Sequence, residues 1–337
     1  MMDLKLWLGL GAAAIGLMGL ALPTHAEPLK VGTIKSAGAG PLFVAQERGY
    51  FKAEGLEVEF VFFDASQPIA VADVSGDVDI GATPPTAAFY ALASQGVLRI
   101  ISGYVMDAPT FQANGAVASN AAYAAGFKSF KDMAGRKVST TQVGAAPHYA
   151  WGLLAEHFGV DLKTVQVVAL QSNPNQVSAV VGGQVDAAMM PSTFLTPPLE
   201  AGQVKLLGFV GDITPWQLGA TFTSAKIANE RGEALKKFIR AFILGIHDYH
   251  DAFTGPGEKR ADMPTAPEIL AIMSKYIGQS PEQLKRALPY FDRENRMDFK
   301  DVLHQIAWYK SQGMLKDSVN GNDIIDKRYA VPLPGKE

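Results

Sequence analysis

Apolar and polar positions along the chain repeat one sequence of textures twice. β-rich runs at 29–34 and 137–141 each lead through a loop of small residues into a helical stretch. A second strand pattern follows at 58–63 and 165–170, then another helical stretch, then a short third strand at 79–82 and 186–189. Strands alternating with helices require crossover connections and a sheet covered on both faces. The pattern therefore predicts an α/β fold with two mainly parallel sheets flanked by helices.

After residue 216 the texture changes. Residues 217–223 read as a strand, and Leu235, Phe238, Ile239, Phe242, Ile243, Ile246 and Tyr249 then recur three and four apart, as on a helix with one apolar face. Thr265-x-x-Glu268 and Ser280-x-x-Gln283, the latter with Pro281 at the first helical position, read as capping boxes opening two more helices. Three helices without a sheet must cover one that already exists. The expected organisation is a discontinuous first lobe, 27–115 plus 217–337, and a second lobe, 118–212, joined by crossings near Gly115 and Thr214-Pro215.

The two halves also share residues. Shifted by 107, the chain matches itself at 14 of the 57 positions from 30 to 86, including Lys30-Val31-x-Thr33 on Lys137-Val138-x-Thr140. The same shift lays Gly76-x-Val78-Asp79 on Gly183-x-Val185-Asp186, and Pro84-x-Thr86 on Pro191-x-Thr193. Two copies of one unit are too few for a solenoid and point to an internal duplication.

Composition narrows the chemistry. The 337 residues carry 30 basic and 33 acidic side chains, a formal charge of −3, which supplies no basic field for nucleic acid. With no cysteine there is no thiol nucleophile, thiolate metal site or disulfide. Lys5, the apolar run 6–22, Pro23 and Thr24-His25-Ala26 have the layout of a secretory signal, residues 1–26, cut after Ala26; this would leave 337 − 26 = 311 residues, most simply in the periplasm.

The duplication sets four loops at the C-terminal ends of parallel strands, where open α/β sheets bind ligands. They are Ser36-Ala-Gly38-Ala-Gly40-Pro41, Thr83-Pro-Pro-Thr86, Gln142-Val-Gly144-Ala-Ala-Pro147 with His148 following, and Met190-Pro-Ser192-Thr193. Each has a proline suited to a first helical turn, and none contains a charged residue apart from Lys35 at the edge of the first. Helix starts and hydroxyls make such loops anion-friendly, although the same residues serve as plain helix caps. The absence of arginine argues against a bidentate carboxylate clamp, and the absence of aspartate against an ammonium group on the ligand. Asp79 and Asp186 stand at the other end of their strands and read as structural. Phe43, Phe89, Tyr149, Met189, Met190, Phe194 and Trp216 flank the loops, mostly as core, with some available to a hydrophobic ligand body.

Catalytic patterns are missing: there is no His-Glu-x-x-His, Gly-x-Ser-x-Gly or Walker loop, and Gly38-x-Gly40 lacks the third glycine of a dinucleotide fingerprint. His247 and His250, three apart on a helix, could hold a metal but read as a solvated face; His157 and His304 read as ordinary helix positions.

Residues 40–58 (Gly-Pro-Leu-Phe-Val-Ala-Gln-Glu-Arg-Gly-Tyr-Phe-Lys-Ala-Glu-Gly-Leu-Glu-Val), Gly76-Asp-Val-Asp-Ile-Gly-Ala-Thr-Pro84, Gly183-Gln-Val-Asp-Ala-Ala-Met189 and Trp308-Tyr-Lys-Ser-Gln-Gly-Met-Leu together resemble the substrate-binding proteins of ABC importers for taurine, sulfonates, nitrate and thiamine-pyrimidine precursors. The resemblance implies a two-lobed periplasmic binding protein fold of type II that closes on one small ligand and delivers it to a membrane permease. A monomer with no cofactor and no catalysis is expected. The chain differs in placing Ala188-Met189-Met190 where the family often has an aromatic, and it lacks the cysteines on which fungal pyrimidine synthases of this fold depend. The ligand set expected from the four loops and their flanks is Ser36, Gly38, Gly40, Thr83, Thr86, Gln142, Gly144, His148, Met190, Ser192, Thr193 and Trp216, holding a small organic anion. A neutral pyrimidine-like precursor, a periplasmic enzyme and a sensor module are the alternatives.

Overall fold

The computed structural model describes residues 26–337. Residues 1–25 of the expected signal segment lie outside the described residues. Strand β1 (Glu27–Ile34) runs parallel to β2 (Leu56–Phe63) on one side and β3 (Ile80–Thr83) on the other. After β4 (Leu98–Gly103), β5 (Val105–Met106) pairs in a small ribbon with Tyr290–Phe291. The second sheet holds β6 (Asn114–Ser119), β7 (Lys137–Thr140), β8 (Gln166–Ala169), β9 (Ala187–Pro191) and β10 (Val204–Phe209), and β11 (Ala220–Ser224) returns to the first.

The strand orders are β2-β1-β3-β11-β4 and β8-β7-β9-β6-β10. Position by position they are the same sheet. Both keep four strands pointing one way and are mixed only because in each the fourth strand arrives from the opposite lobe: β11 runs antiparallel to β3 and β4, and β6 antiparallel to β9 and β10. A strand entering from across the molecule meets the sheet at the end where its own parallel strands finish, so it must run the other way.

The duplicated aspartates do the same work in both copies. Asp79 Oδ2 accepts the Lys30 N–H at 2.7 Å and Asp186 Oδ2 accepts the Lys137 N–H at 2.8 Å, each fastening the start of its parallel strand to its neighbour. In the C-terminal part, helix Gly232–Phe253 buries Leu235, Phe238, Phe242, Ile246 and Tyr249 against the first half. The Ser280 capping box forms, with the Ser280 hydroxyl accepting the Gln283 N–H. The Thr265 box does not. Thr265 is itself helical, with φ −83° and ψ −10°, and Glu268 turns instead to Arg48 at 2.7 Å. Among the described residues no helix is long and apolar enough to cross a membrane.

Candidate functional site

The C-terminal ends of the parallel strands of both sheets converge on one cleft of about 650 Å³ of atom-free space, part of it open to solvent. Thr33, Ile34, Thr83 and Pro84 reach it from the ends of β1 and β3, and Thr141 and Pro191 from those of β7 and β9. Tyr104, Asn114 and Leu218 come from the crossing segments, and Ala287 and Pro289 from the C-terminal part. Ser66, Ala146, Asn173 and Thr193 stand in the first turns of four helices of 9 to 13 residues and also line it, so positive helix ends face the cleft from both sides. No lining side chain carries a formal charge. Burial holds the Tyr104 phenol well above its usual range, so it remains neutral, with Thr33 Oγ1 3.3 Å away.

The halves touch around this cleft. The Ala37 N–H donates to Thr193 Oγ1 at 3.0 Å, and the Ala87 N–H donates to the Gly144 carbonyl at 2.8 Å. Shifting by 107 converts Ala37 into Gly144 and Thr86 into Thr193. The two bridges therefore join equivalent loops, one on each side, but are not the same bond: the first ends on a threonine hydroxyl, and in the second Ala87, next to Thr86, donates to a backbone carbonyl. The backbone N–H and Nδ2 of Asn173 both point to the Asp64 carbonyl at 3.3 Å, and Gln279 Nε2 donates to the Thr193 carbonyl at 2.6 Å. Gly144 lies at φ +80°, where a Cβ would come within 2.6 Å of the Ala87 Cβ, so this approach requires glycine twice over.

Of the twelve residues expected here, Ser36, Gly38, Thr83 and Thr193 line the cleft. The other eight lie outside its lining, each for a local reason. Gly40 opens its helix beneath Met273 and Tyr249. Thr86 turns its hydroxyl back to accept the Phe89 N–H at 3.0 Å as a helix cap. Gln142 donates to the Gln171 carbonyl at 3.1 Å, while Gly144 makes the turn just described. His148 accepts the Gly144 N–H on Nδ1 at 3.1 Å and packs edge-on against Trp308. Burial lowers its pKa to about 4, so the ring is a neutral brace for the loop. Met190 belongs to the core behind β9, and Ser192 is buried with its backbone N–H on the Ala113 carbonyl at 2.9 Å.

Trp216 has a different role. Its indole N–H donates to Asp107 Oδ2 at 2.7 Å, and the two residues also exchange backbone hydrogen bonds, pinning the crossing segments together. Asp107 Oδ1 accepts the Asn114 N–H at 3.1 Å, and complete burial raises this carboxyl to about 7. The helix residues His247 and His250 also depart from expectation. The solvated face expected for both is not there: His250 is 7% exposed, with Nε2 3.0 Å from Glu258, and the His247 side chain is only partly open. Among the described residues no three His, Cys, Asp or Glu side chains cluster as a metal site.

Ser66 and Asn173 were missed. They are counterparts under the shift of 107 and open the helices after β2 and β8. The duplication itself was the available signal, applied only to the loops after the first and third strands. Tyr104, Leu218, Ala287 and Pro289 have no local signature and are delivered by the crossings and the C-terminal part.

Two sheets of identical order, two crossings and a cleft between them define the periplasmic binding protein fold. Residues 37–252 match the family described as NMT1/THI5 like, and the chain belongs to it. No curated protein matches it in sequence. Among solved structures it is similar to the alkanesulfonate-binding protein SsuA from Xanthomonas axonopodis pv. citri bound to MOPS, at 17% identity and TM-score 0.69, covering 89% of this chain and 98% of that one. The periplasmic nitrate-binding protein NrtA from Synechocystis PCC 6803 is similar at 14% identity and TM-score 0.68, covering 90% and 87%. A DszB mutant in complex with biphenyl-2-sulfinic acid shares the fold at 13% identity and TM-score 0.57, covering 91% and 97%.

Proposed function

We propose that this protein is the extracytoplasmic solute-binding component of an ABC importer. It captures a small organic anion, a sulfonate or a carboxylate, between lobes 27–115 plus 217–337 and 118–212, and hands it to a membrane permease. The observation that carries this reading is the cleft itself, lined from both copies of the duplicated unit and bridged on two sides by hydrogen bonds between them. Such a site is complete only when the lobes meet, which is what couples ligand capture to shape. The family and the sulfonate- and nitrate-binding neighbours support an importer role in the periplasm. The lining supports capture over catalysis: its only ionisable side chain is Tyr104, held neutral, and it places no base beside its serines and threonines.

Native mass spectrometry of protein recovered from the periplasm tests the proposal. One small acidic molecule per chain, recovered unchanged after release, is the expected result. Release of a chemically altered molecule, with turnover of the added original, would replace capture by catalysis.

A further inference from the structure

We infer that Ser66 and Thr193 determine which ligands the cleft accepts, by presenting hydroxyl protons from opposite lobes to an acceptor-bearing end of the solute. The inference rests on the solute-binding reading above and deepens it. A hydroxyl has one proton and two lone pairs, so a hydroxyl that accepts inside the protein still has its proton to give. Thr83 Oγ1 donates to Ser66 Oγ at 2.9 Å, which leaves the Ser66 proton free. The Ala37 N–H donates to Thr193 Oγ1 at 3.0 Å, which leaves the Thr193 proton free. Both side chains are more than nine-tenths buried and both line the cleft.

Two neighbouring hydroxyls and one amide are already engaged. Thr33 Oγ1 gives its proton to the Ala82 carbonyl at 2.8 Å, so the Tyr104 hydroxyl beside it is the donor in their 3.3 Å contact. Asn173 Nδ2 is directed at the Asp64 carbonyl. Ser66 and Thr193 also begin helices of 10 and 9 residues, so each free proton sits where the helix field favours negative charge. A ligand end bearing sulfonate or carboxylate oxygens meets donors here, and an ammonium end meets no carboxylate among the lining residues.

The two residues differ in when they are ready. Thr83 and Ser66 belong to one lobe, so Ser66 is oriented before closure. Thr193 gains its Ala37 partner only when the lobes meet, so its proton is aimed by closure itself.

The test is calorimetric titration of the full mature chain with 1-butanesulfonate, butyrate, butyramide and butylammonium, for wild type, Ser66→Ala, Thr193→Val and Thr193→Ser. Wild type is expected to bind one of the two anions at least a hundredfold more tightly than butylammonium. Each hydroxyl deletion should weaken that anion by about ten- to a hundredfold, and Thr193→Ser should stay within a few-fold of wild type. Undiminished anion affinity in Ser66→Ala and Thr193→Val would overturn the assignment while leaving the solute-binding reading in place. Butylammonium binding as tightly as the anions would overturn the donor polarity. If none of the four probes binds wild type, the small-anion reading falls together with this inference.

Discussion

The two copies of the repeated unit agree at one end of their sheets and part company at the other. At the base, Asp79 and Asp186 make the same bond to the residue just before the paired stretch of the neighbouring parallel strand, 49 positions earlier in both cases. At the cleft, the paired threonines have separated: Thr86 caps its own helix, whereas Thr193 reaches across to Ala37. Beneath the sheets the polar groups have moved too. The second copy buries a satisfied pair, Ser139 Oγ to Gln176 Oε1 at 2.9 Å, where the first packs Gly32 against Ile69. The first copy instead buries Asp73, whose oxygens find no hydrogen-bond partner at bonding geometry although the Ser224 and Gly81 backbone N–H groups are close; its counterpart is Val180 in the second core. A scaffold position is kept because both sheets need it, whereas the cleft positions give the two walls different chemistry.

The largest expected effect is at Gly144, whose counterpart in the first copy is Ala37. Gly144→Val places a β-branched residue at φ +80° and drives its Cβ into Ala87. Anion affinity should fall by roughly a hundredfold, about 3 kcal/mol, as read by calorimetry. Affinity within threefold of wild type would show that the lobes do not meet as described.

A second effect follows from the carboxyls of the first half and its crossing. Burial raises Asp107 to about 7, Asp301 to about 6 and Asp73 well above the usual range. A carboxyl whose folded pKa exceeds its unfolded value near 4 holds its proton more tightly when folded. Its contribution to stability is therefore full below pH 4 and is lost as pH rises towards 7. The depressed carboxyls, Glu47, Asp251 and Asp326 among them, contribute above about pH 4 and do not oppose this trend between pH 5 and 7. His148, lowered to about 4, does oppose it: its buried neutral ring costs stability as pH falls below about 6.5, one group against the three carboxyls. The urea midpoint should be higher at pH 5 than at pH 7.5, and a lower midpoint at pH 5 would contradict the burial of these groups.

Asp73→Val copies the second core into the first. Removing a buried acid without partners should stabilise the chain at pH 7.5 by about 1–3 kcal/mol and reduce the pH dependence just described. Destabilisation in urea would mean that the Ser224 and Gly81 amides do hold the carboxyl. The smallest effect is at Thr86: Thr86→Val should cost about 1 kcal/mol of stability through the lost cap, with anion affinity within a few-fold of wild type. Comparable losses of affinity in Thr86→Val and Thr193→Val would restore the symmetry that the structure breaks.

The residues that repeat were the ones readable in the sequence. Alternation fixed β1, β7 and their partners, and the shift of 107 fixed the equivalence of the sheets, because backbone pattern and burial are local properties. The antiparallel entry of β6 and β11 was not readable, since it depends on which lobe the chain leaves and which it enters. At the site, a loop of small residues after a strand predicted where the cleft lies. It could not say whether Thr86 faces the cleft or its own Phe89 N–H, a choice decided by one rotamer in a crowded turn. His148 looked like a ligand contact for the same reason, and the structure uses its ring to hold Gly144.

The central claim is that two copies close on one solute, and small-angle scattering with and without a saturating anion tests it most directly. Ligand selects the conformation in which both lobes reach it. The account predicts a smaller radius of gyration at saturation, with a profile matching the bridged arrangement of Ala37 with Thr193 and Ala87 with Gly144. An unchanged radius at a concentration shown by calorimetry to saturate the site would contradict it.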